Sequence, residues 1–211
     1  MGGDGSMNPG TGPQVSVEQL LRNFLDVQKR RASVYNILHQ GFADLLKTNA
    51  ESPYREVCSQ VTTSFSESSK QVLEIEAALR APCNDRPDLA AVLQAVQAQE
   101  KQKLHMTATL QVLKRAGRPS ERAHALEQGH HSSNGSHTQS PLCSHGPEGE
   151  AEEDSGLEMA QLEAEFDAAI KEATGIVQNA VLEINDHIEA IRYEIEELEE
   201  KRESTMDEGE R

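Results

Sequence analysis

Apolar residues recur at alternating three- and four-residue spacings along most of this chain. Leu21, Phe24, Gln28, Arg31, Tyr35, Leu38, Phe42 and Leu45 follow such a heptad seam, which runs through about seven turns of one helix. Ser16 and Gln19 stand at capping-box spacing ahead of it, where each can satisfy a backbone N–H at the helix start. The helix is expected to end near Asn49. A second seam follows at Tyr54, Cys58, Val61, Phe65, Ser68, Val72, Ile75 and Leu79, with Ser52-Pro53 as its expected cap and first residue. Pro82 to Pro87 breaks it. A third helix is expected from a cap at Asp85 to Ala116, with apolar residues at its two ends: Leu89, Val92, Leu93 and Val96, then Leu104, Leu110 and Leu113. Gly117 and Pro119 supply its stop. Short connections between helices of similar length favour antiparallel neighbours, so residues 16–117 read as an up-down-up three-helix unit.

Residues 118–155 change character. They are rich in Gly, Ser, His, Pro and Glu and lack an apolar period. That composition buries too little surface to offset the entropy of ordering, and a disordered linker is expected. Ser155 and Glu158 then mark the start of an acidic heptad-bearing helix over 156–203. Its seam is strict: Ile170, Val177, Ile184, Ile191 and Leu198 in one set, Thr174, Val181, Ile188 and Ile195 in the other. Isoleucine at both core positions leans toward three or four helices rather than two. Residues 1–15 and 204–211 are expected to be disordered. The fold class is therefore all-α, an antiparallel helical bundle or coiled coil of about four long helices with a disordered insertion. The fourth long helix is expected to fold back on the first three, with Ile184, Ile188, Ile191, Ile195 and Leu198 as the bundle or partner interface.

Each of the first three seams has a polar interruption near its middle. These are Gln28 and Arg31, then Ser68, then Gln97, Glu100 and Lys103. Antiparallel helices aligned at their midpoints would bring Gln28, Arg31, Ser68 and Glu100 into one buried polar layer, with Arg31 facing Glu100. Such a layer fixes register at some cost in stability. The same residues equally fit the places where each seam rotates toward solvent.

Charge divides the chain more sharply than hydropathy does. Residues 1–117 hold 13 Lys+Arg and 12 Asp+Glu, whereas residues 118–211 hold 7 and 24. A nearly neutral body thus carries a strongly acidic end, which is the side that polyanions would avoid. Most of that acid coats the last helix rather than the linker. Aromatics are only 3% and Trp is absent, a composition suited to helices that each bury one stripe. No stretch is apolar enough for a membrane span, and no basic-then-apolar leader opens the chain. Cys58, Cys83 and Cys143 are too scattered for a disulfide framework or a zinc motif, and a reduced intracellular protein is expected.

Candidate chemistry is sparse. His130, His131, His137, Cys143 and His145 are of zinc-ligating type but are spread through Ser/Gly sequence, so a solvated linker and no bound metal or other cofactor are expected. Met1-Gly2 with Ser6 fits a loose acylation pattern; a flexible glycine-rich start is the simpler reading. No phosphate loop or nucleophile motif emerges, and acids such as Asp154 and Glu165 lack a pocket to shift their pKa; no enzymatic activity is expected. Lys29-Arg30-Arg31 cannot form one stripe on a helix and lacks aromatic interleaving, so direct DNA binding is not expected. Gly41, inside the first helix, reads as a place where a neighbouring helix packs closely.

The pattern as a whole resembles the Required for excision 1-B domain family. In the first helix the resemblance rests on Val27-Gln28, Arg31-Ala32, Tyr35, Leu38 and Gly41-Phe42. In the second it rests on Tyr54-Arg55, Val61-Thr62, Phe65, Ser69, Val72-Leu73, Glu76 and Leu79. In the third it rests on Gln97, Glu100, Leu104, Thr107, Leu110-Gln111, Leu113 and Gly117, and it resumes at Ile191-Arg192-Tyr193-Glu194. The resemblance implies a nuclear role in excision repair of DNA damage, such as ultraviolet lesions, without a known catalytic activity. With the helical pattern it suggests an accessory or scaffold acting through protein partners. Without it, the seams fit a coiled-coil subunit of a cytoskeletal or trafficking assembly equally well.

Overall fold

The computed structural model of the chain describes residues 15–130 and 150–209. Among them every regular element is an α-helix: α1 (Val17–Thr48), α2 (Glu51–Arg80), α3 (Pro87–Ala116), α4 (Pro119–His130) and α5 (Glu150–Gly209). No helix of the described residues is long and apolar enough to cross a membrane. The chain divides into two units, Met1–Ala98 with Ile184–Arg211, and Gln99–Glu183. The divisions fall inside α3 and inside α5.

The first unit contains α1, α2, the first part of α3 and the last part of α5. Ser16 caps α1, its hydroxyl accepting from the Gln19 backbone N–H at 3.2 Å. The Gln19 side chain turns instead to Asn23, so only half of the capping box forms. Asn49 ends the helix in a left-handed conformation (φ 56°), with its N–H on the Leu45 carbonyl. Phe42 then meets Tyr54, Tyr35 meets Phe65, and Arg30 meets Gln71. As the number on α1 falls the number on α2 rises, which is an antiparallel pair. At Gly41 the two helices pack closely: a Cβ there would lie 2.9 Å from Val57. A second layer is closed by Leu21, Phe24, Val27, Val72, Leu79, Leu93, Val96 and Ile191, all of them fully buried or nearly so. Each such side chain contributes about 1.5–3 kcal/mol by leaving water, so this layer dominates the stability of the unit.

The second unit contains the end of α3, all of α4 and the first part of α5. Gly117, at φ 73°, ends α3 in the left-handed conformation that glycine adopts without strain. Two residues later α4 begins. Among the described residues of this unit no Leu, Ile, Val, Met or Phe is buried; the buried set is Pro119, Ala173 and Ala180 with Glu100, Thr107 and Gln111.

Several boundaries differ from the sequence reading. Ser52 does not cap α2, which starts at Glu51 after Ala50 and has no side-chain cap. Asp85 does not cap α3 either; it takes a left-handed turn (φ 46°), and Pro87 is the first helical residue. Residues 119–130, expected as linker, form α4, because Pro119 starts a new helix rather than only stopping the old one. The last helix starts at Glu150 rather than 156, so Ser155 lies within it, and it runs on through 204–209. The first extension is rich in Glu and Ala, which are good helix formers. On α5 the buried positions before Ile184 are Ala173 and Ala180, not Thr174 and Val181. The linker expectation over 131–149, the acylation pattern at Gly2 and Ser6, and His131, His137, Cys143 and His145 lie outside the described residues.

Candidate interaction site

The middle of the first unit is polar. Arg31 is only 2% exposed despite its charge. Its Nη2 donates to the Ser69 hydroxyl at 3.2 Å and to the Gln97 side-chain oxygen. Gln97 in turn donates its Nε2 to the Ser69 backbone carbonyl at 3.3 Å. One guanidinium, one serine and one amide thereby tie α1, α2 and α3 together at a single level. A buried charge needs such partners, because taking it out of water unpaired costs several kcal/mol. The arrangement therefore selects one register of the three helices: a shift by one turn would separate the charge from its acceptors.

Of the residues expected in this layer, Gln28, Arg31, Ser68 and Glu100 are all buried. Ser68 points toward α1 in a crevice with Arg30, Val34 and Gln71, and its neighbour Ser69 is the serine that accepts from Arg31. Glu100 belongs to the second unit, where Lys103 Nζ stands 3.7 Å from its carboxylate. Glu76, which has no place in the seam, is 2% exposed with Arg80 Nη1 at 3.4 Å. It was not legible as buried, since a Glu beside Ile75 on a helix reads as surface.

The expected interface residues of the last helix come together in the first unit. Ile184, Ile191 and Ile195 are buried in the same cluster as Leu21, Val72 and Leu93, and Ile188 and Leu198 pack against it partly buried. Charged groups border this seam. Arg86 Nη1 donates to Glu194 at 2.6 Å and its Nη2 to Asp88 at 2.7 Å. The Arg86 hydrogen bond holds the Asp88 carboxyl below its usual range. Arg22 donates to Glu199, and Arg202 donates to Glu18 at 3.1 Å. These pairs link α5 to α1 and to the start of α3, adding register to an otherwise non-directional apolar contact.

Between α1 and α2 lies a crevice of about 510 Å³ lined by Leu20, Asn23, Asp26, Val27, Arg30, Gln71, Glu74 and Ile75. Its apolar floor is already buried and its rim is polar, with Arg30 spanning to Gln71.

The second unit has a polar cluster of its own around Ser120. Glu163 on α5 accepts from the Ser120 backbone N–H at 2.9 Å and from its hydroxyl at 2.7 Å. A carboxylate at a helix N-terminus satisfies an orphan donor and meets the positive end of the dipole. Arg118 completes the cluster, donating to Glu163 at 2.6 Å and to Asp167 at 2.7 Å. The Ser120 backbone bond, then its hydroxyl, then Arg118 hold the Glu163 carboxyl below its usual range. No sequence motif pointed to this clamp, because its halves are more than forty residues apart.

Among the described residues, the buried polar side chains of the two units are Gln28, Arg31, Ser68, Glu76, Glu100, Thr107 and Gln111. All but Ser68 are among the residues that carried the resemblance. Residues 19–114 match the DNA repair REX1-B family. The match covers just under half of the chain, from α1 nearly to the end of α3. It is the family that the sequence pattern resembles, and α4 and α5 lie beyond the matched stretch. No curated protein and no solved structure matches the chain.

Proposed function

We propose that this chain is a non-enzymatic accessory or scaffold protein in excision repair of DNA damage, acting in the nucleus through helical contacts with protein partners. The match of residues 19–114 to the DNA repair REX1-B family carries the reading. What supports a scaffold over a catalyst is how the resembling side chains are used. Arg31, Ser69 and Gln97 bind one another across three helices, and Tyr35, Phe65, Val72 and Leu79 fill the interior. A coiled-coil subunit that assembled through the isoleucine seam of the last helix would need that seam free for another chain. Ile184, Ile191 and Ile195 are instead packed with residues of α1, α2 and α3.

The test is survival after ultraviolet exposure in cells lacking the protein, with re-expression of the wild type or of Arg31→Ala at matched abundance. Sensitivity in the null line, rescued by the wild type only, is the expected result. Normal survival of the null line would overturn the repair reading. Rescue by a variant whose helices have lost their register would overturn the scaffold reading.

A further inference from the structure

Tyr193 is placed as no other aromatic side chain of this protein is. The chain has three Tyr, four Phe and no Trp. Phe24, Tyr35, Phe42 and Phe65 are buried and Tyr54 and Phe166 half-buried, whereas Tyr193 is 66% exposed. Its position on α5 explains the exposure. It lies two residues, about 200° of helical rotation, from the buried Ile191, and so faces directly away from the core of the first unit. In a chain so poor in aromatics, a ring held outward on a packed helix is a contact surface that folding does not use.

The carboxylates around that ring differ from those at the edges of the seam. Glu194 and Glu199 face inward and are bound by Arg86 and Arg22. Asp186, Glu189, Glu196, Glu197 and Glu200 are exposed on the side of Tyr193. Arg192 pairs with Glu189, and Lys201 with Glu197 at 3.2 Å. Asp186, Glu196 and Glu200 carry no ion pair among the described residues, so the face keeps a net negative charge around one aromatic ring. Nucleic acid and anionic lipid are repelled by such a face. A cationic partner is attracted, and an arginine suits it best, since a guanidinium can lie over the tyrosine ring and fork to a neighbouring carboxylate at once. From Asp186 to Glu200 the face extends about 21 Å, the length of roughly six extended residues.

We propose that the outward face of α5 centred on Tyr193 is a docking surface for an arginine-rich extended segment of another protein. Tyr193 is the anchor, and Asp186, Glu196 and Glu200 are the charges that guide and hold the segment. The surface does not depend on the repair reading and adds to it a chemical class of partner.

The test uses the full chain and a fluorescein-labelled peptide of alternating arginine and serine, followed by anisotropy at low and at physiological salt. Saturable binding that weakens with salt is expected. Tyr193→Ala is expected to weaken it about three- to fivefold, and Tyr193→Phe to leave it unchanged, because the ring and not the hydroxyl makes the contact. Changing Asp186, Glu196 and Glu200 together to Lys should weaken it more than about tenfold. The same charge change at Asp44, Glu56 and Glu67, which are exposed elsewhere, should cost far less. No binding by the wild type, no effect of Tyr193→Ala, or equal losses from the two triple variants would each overturn the proposal. So would tighter binding of a duplex DNA probe than of the peptide.

Discussion

The two units bury different kinds of side chain. In the first, Leu21, Phe24, Val72, Leu79, Leu93 and Ile191 are fully or almost fully removed from water, and one arginine, Arg31, is buried and hydrogen-bonded. In the second, the buried apolar side chains among the described residues are those of Pro119, Ala173 and Ala180, and order at the α3–α4 corner comes from Glu163, Ser120 and Arg118. Large aliphatic groups supply most of the free energy of folding, whereas exposed ion pairs supply little and are screened by salt. The comparison teaches that the first unit is the stable body and that the second is the part that opens at lower cost. It also separates two uses of charge: a buried cation that fixes one helical register, and surface carboxylates that clamp or attract.

The sharpest way to break this comparison is to place a charge in the stable core. Ile191→Asp should destabilise the first unit by about 5 kcal/mol or more, because a carboxylate would replace an isoleucine that is 1% exposed. All three tyrosines belong to this unit, so tyrosine fluorescence during urea unfolding reports it directly. A wild-type midpoint in this variant would mean that the seam is not part of the core. Arg31→Ala comes next, at about 3–5 kcal/mol, since Gln97 and Ser69 would lose their partner and the side chain would leave a cavity. The same unfolding curve reads it.

Gly41→Ala sharpens the comparison in the opposite sense from helix propensity. In an open helix the change stabilises by about 1 kcal/mol. Here the new methyl would sit 2.9 Å from Val57, and a net loss of about 1–2 kcal/mol is expected from overpacking. A raised melting temperature would show that α1 and α2 have room to part.

The smallest effect belongs to the second unit. Glu163 is held below its ordinary carboxyl pKa in the folded protein, chiefly by the Ser120 backbone N–H. A lowered folded pKa means that its contribution is fully present above the ordinary glutamate value of about 4.3 and is lost as pH falls through the lowered value. Hydrogen-exchange protection of α4 should therefore decline on acidification before that of α1 and α2 does. Glu163→Gln should reproduce part of the decline at neutral pH while leaving the tyrosine unfolding curve in place. Simultaneous loss of protection in both units would contradict their separate stabilities.

Much of this molecule was legible as pattern. The three- and four-residue spacing located α1, α2, α3 and the acidic part of α5, because a helix that buries one stripe must repeat its apolar residues at that period. The isoleucine seam from Ile184 to Leu198 was legible for the same reason. Helix caps were less so. Ser16 caps α1, yet Ser52, Asp85 and Ser155 are not caps, since several nearby residues could have served and only the chain path chooses among them. Two short-range signals misled: Pro119 reads as a stop although it opens α4, and the polar run before Ser155 reads as linker although α5 already occupies residues from Glu150.

By itself, the sequence determined that this chain is a set of long helices, where their apolar stripes run, and that most of its acid lies on the last of them. Those properties follow from local periodicity and composition. Only the tertiary structure decided that Ser69 and Gln97 hold Arg31, that Glu163 caps α4, and that Glu194 is bound by Arg86. Each of these joins residues far apart in the chain, and a pairing of that kind depends on the register and rotation of whole helices rather than on any local preference.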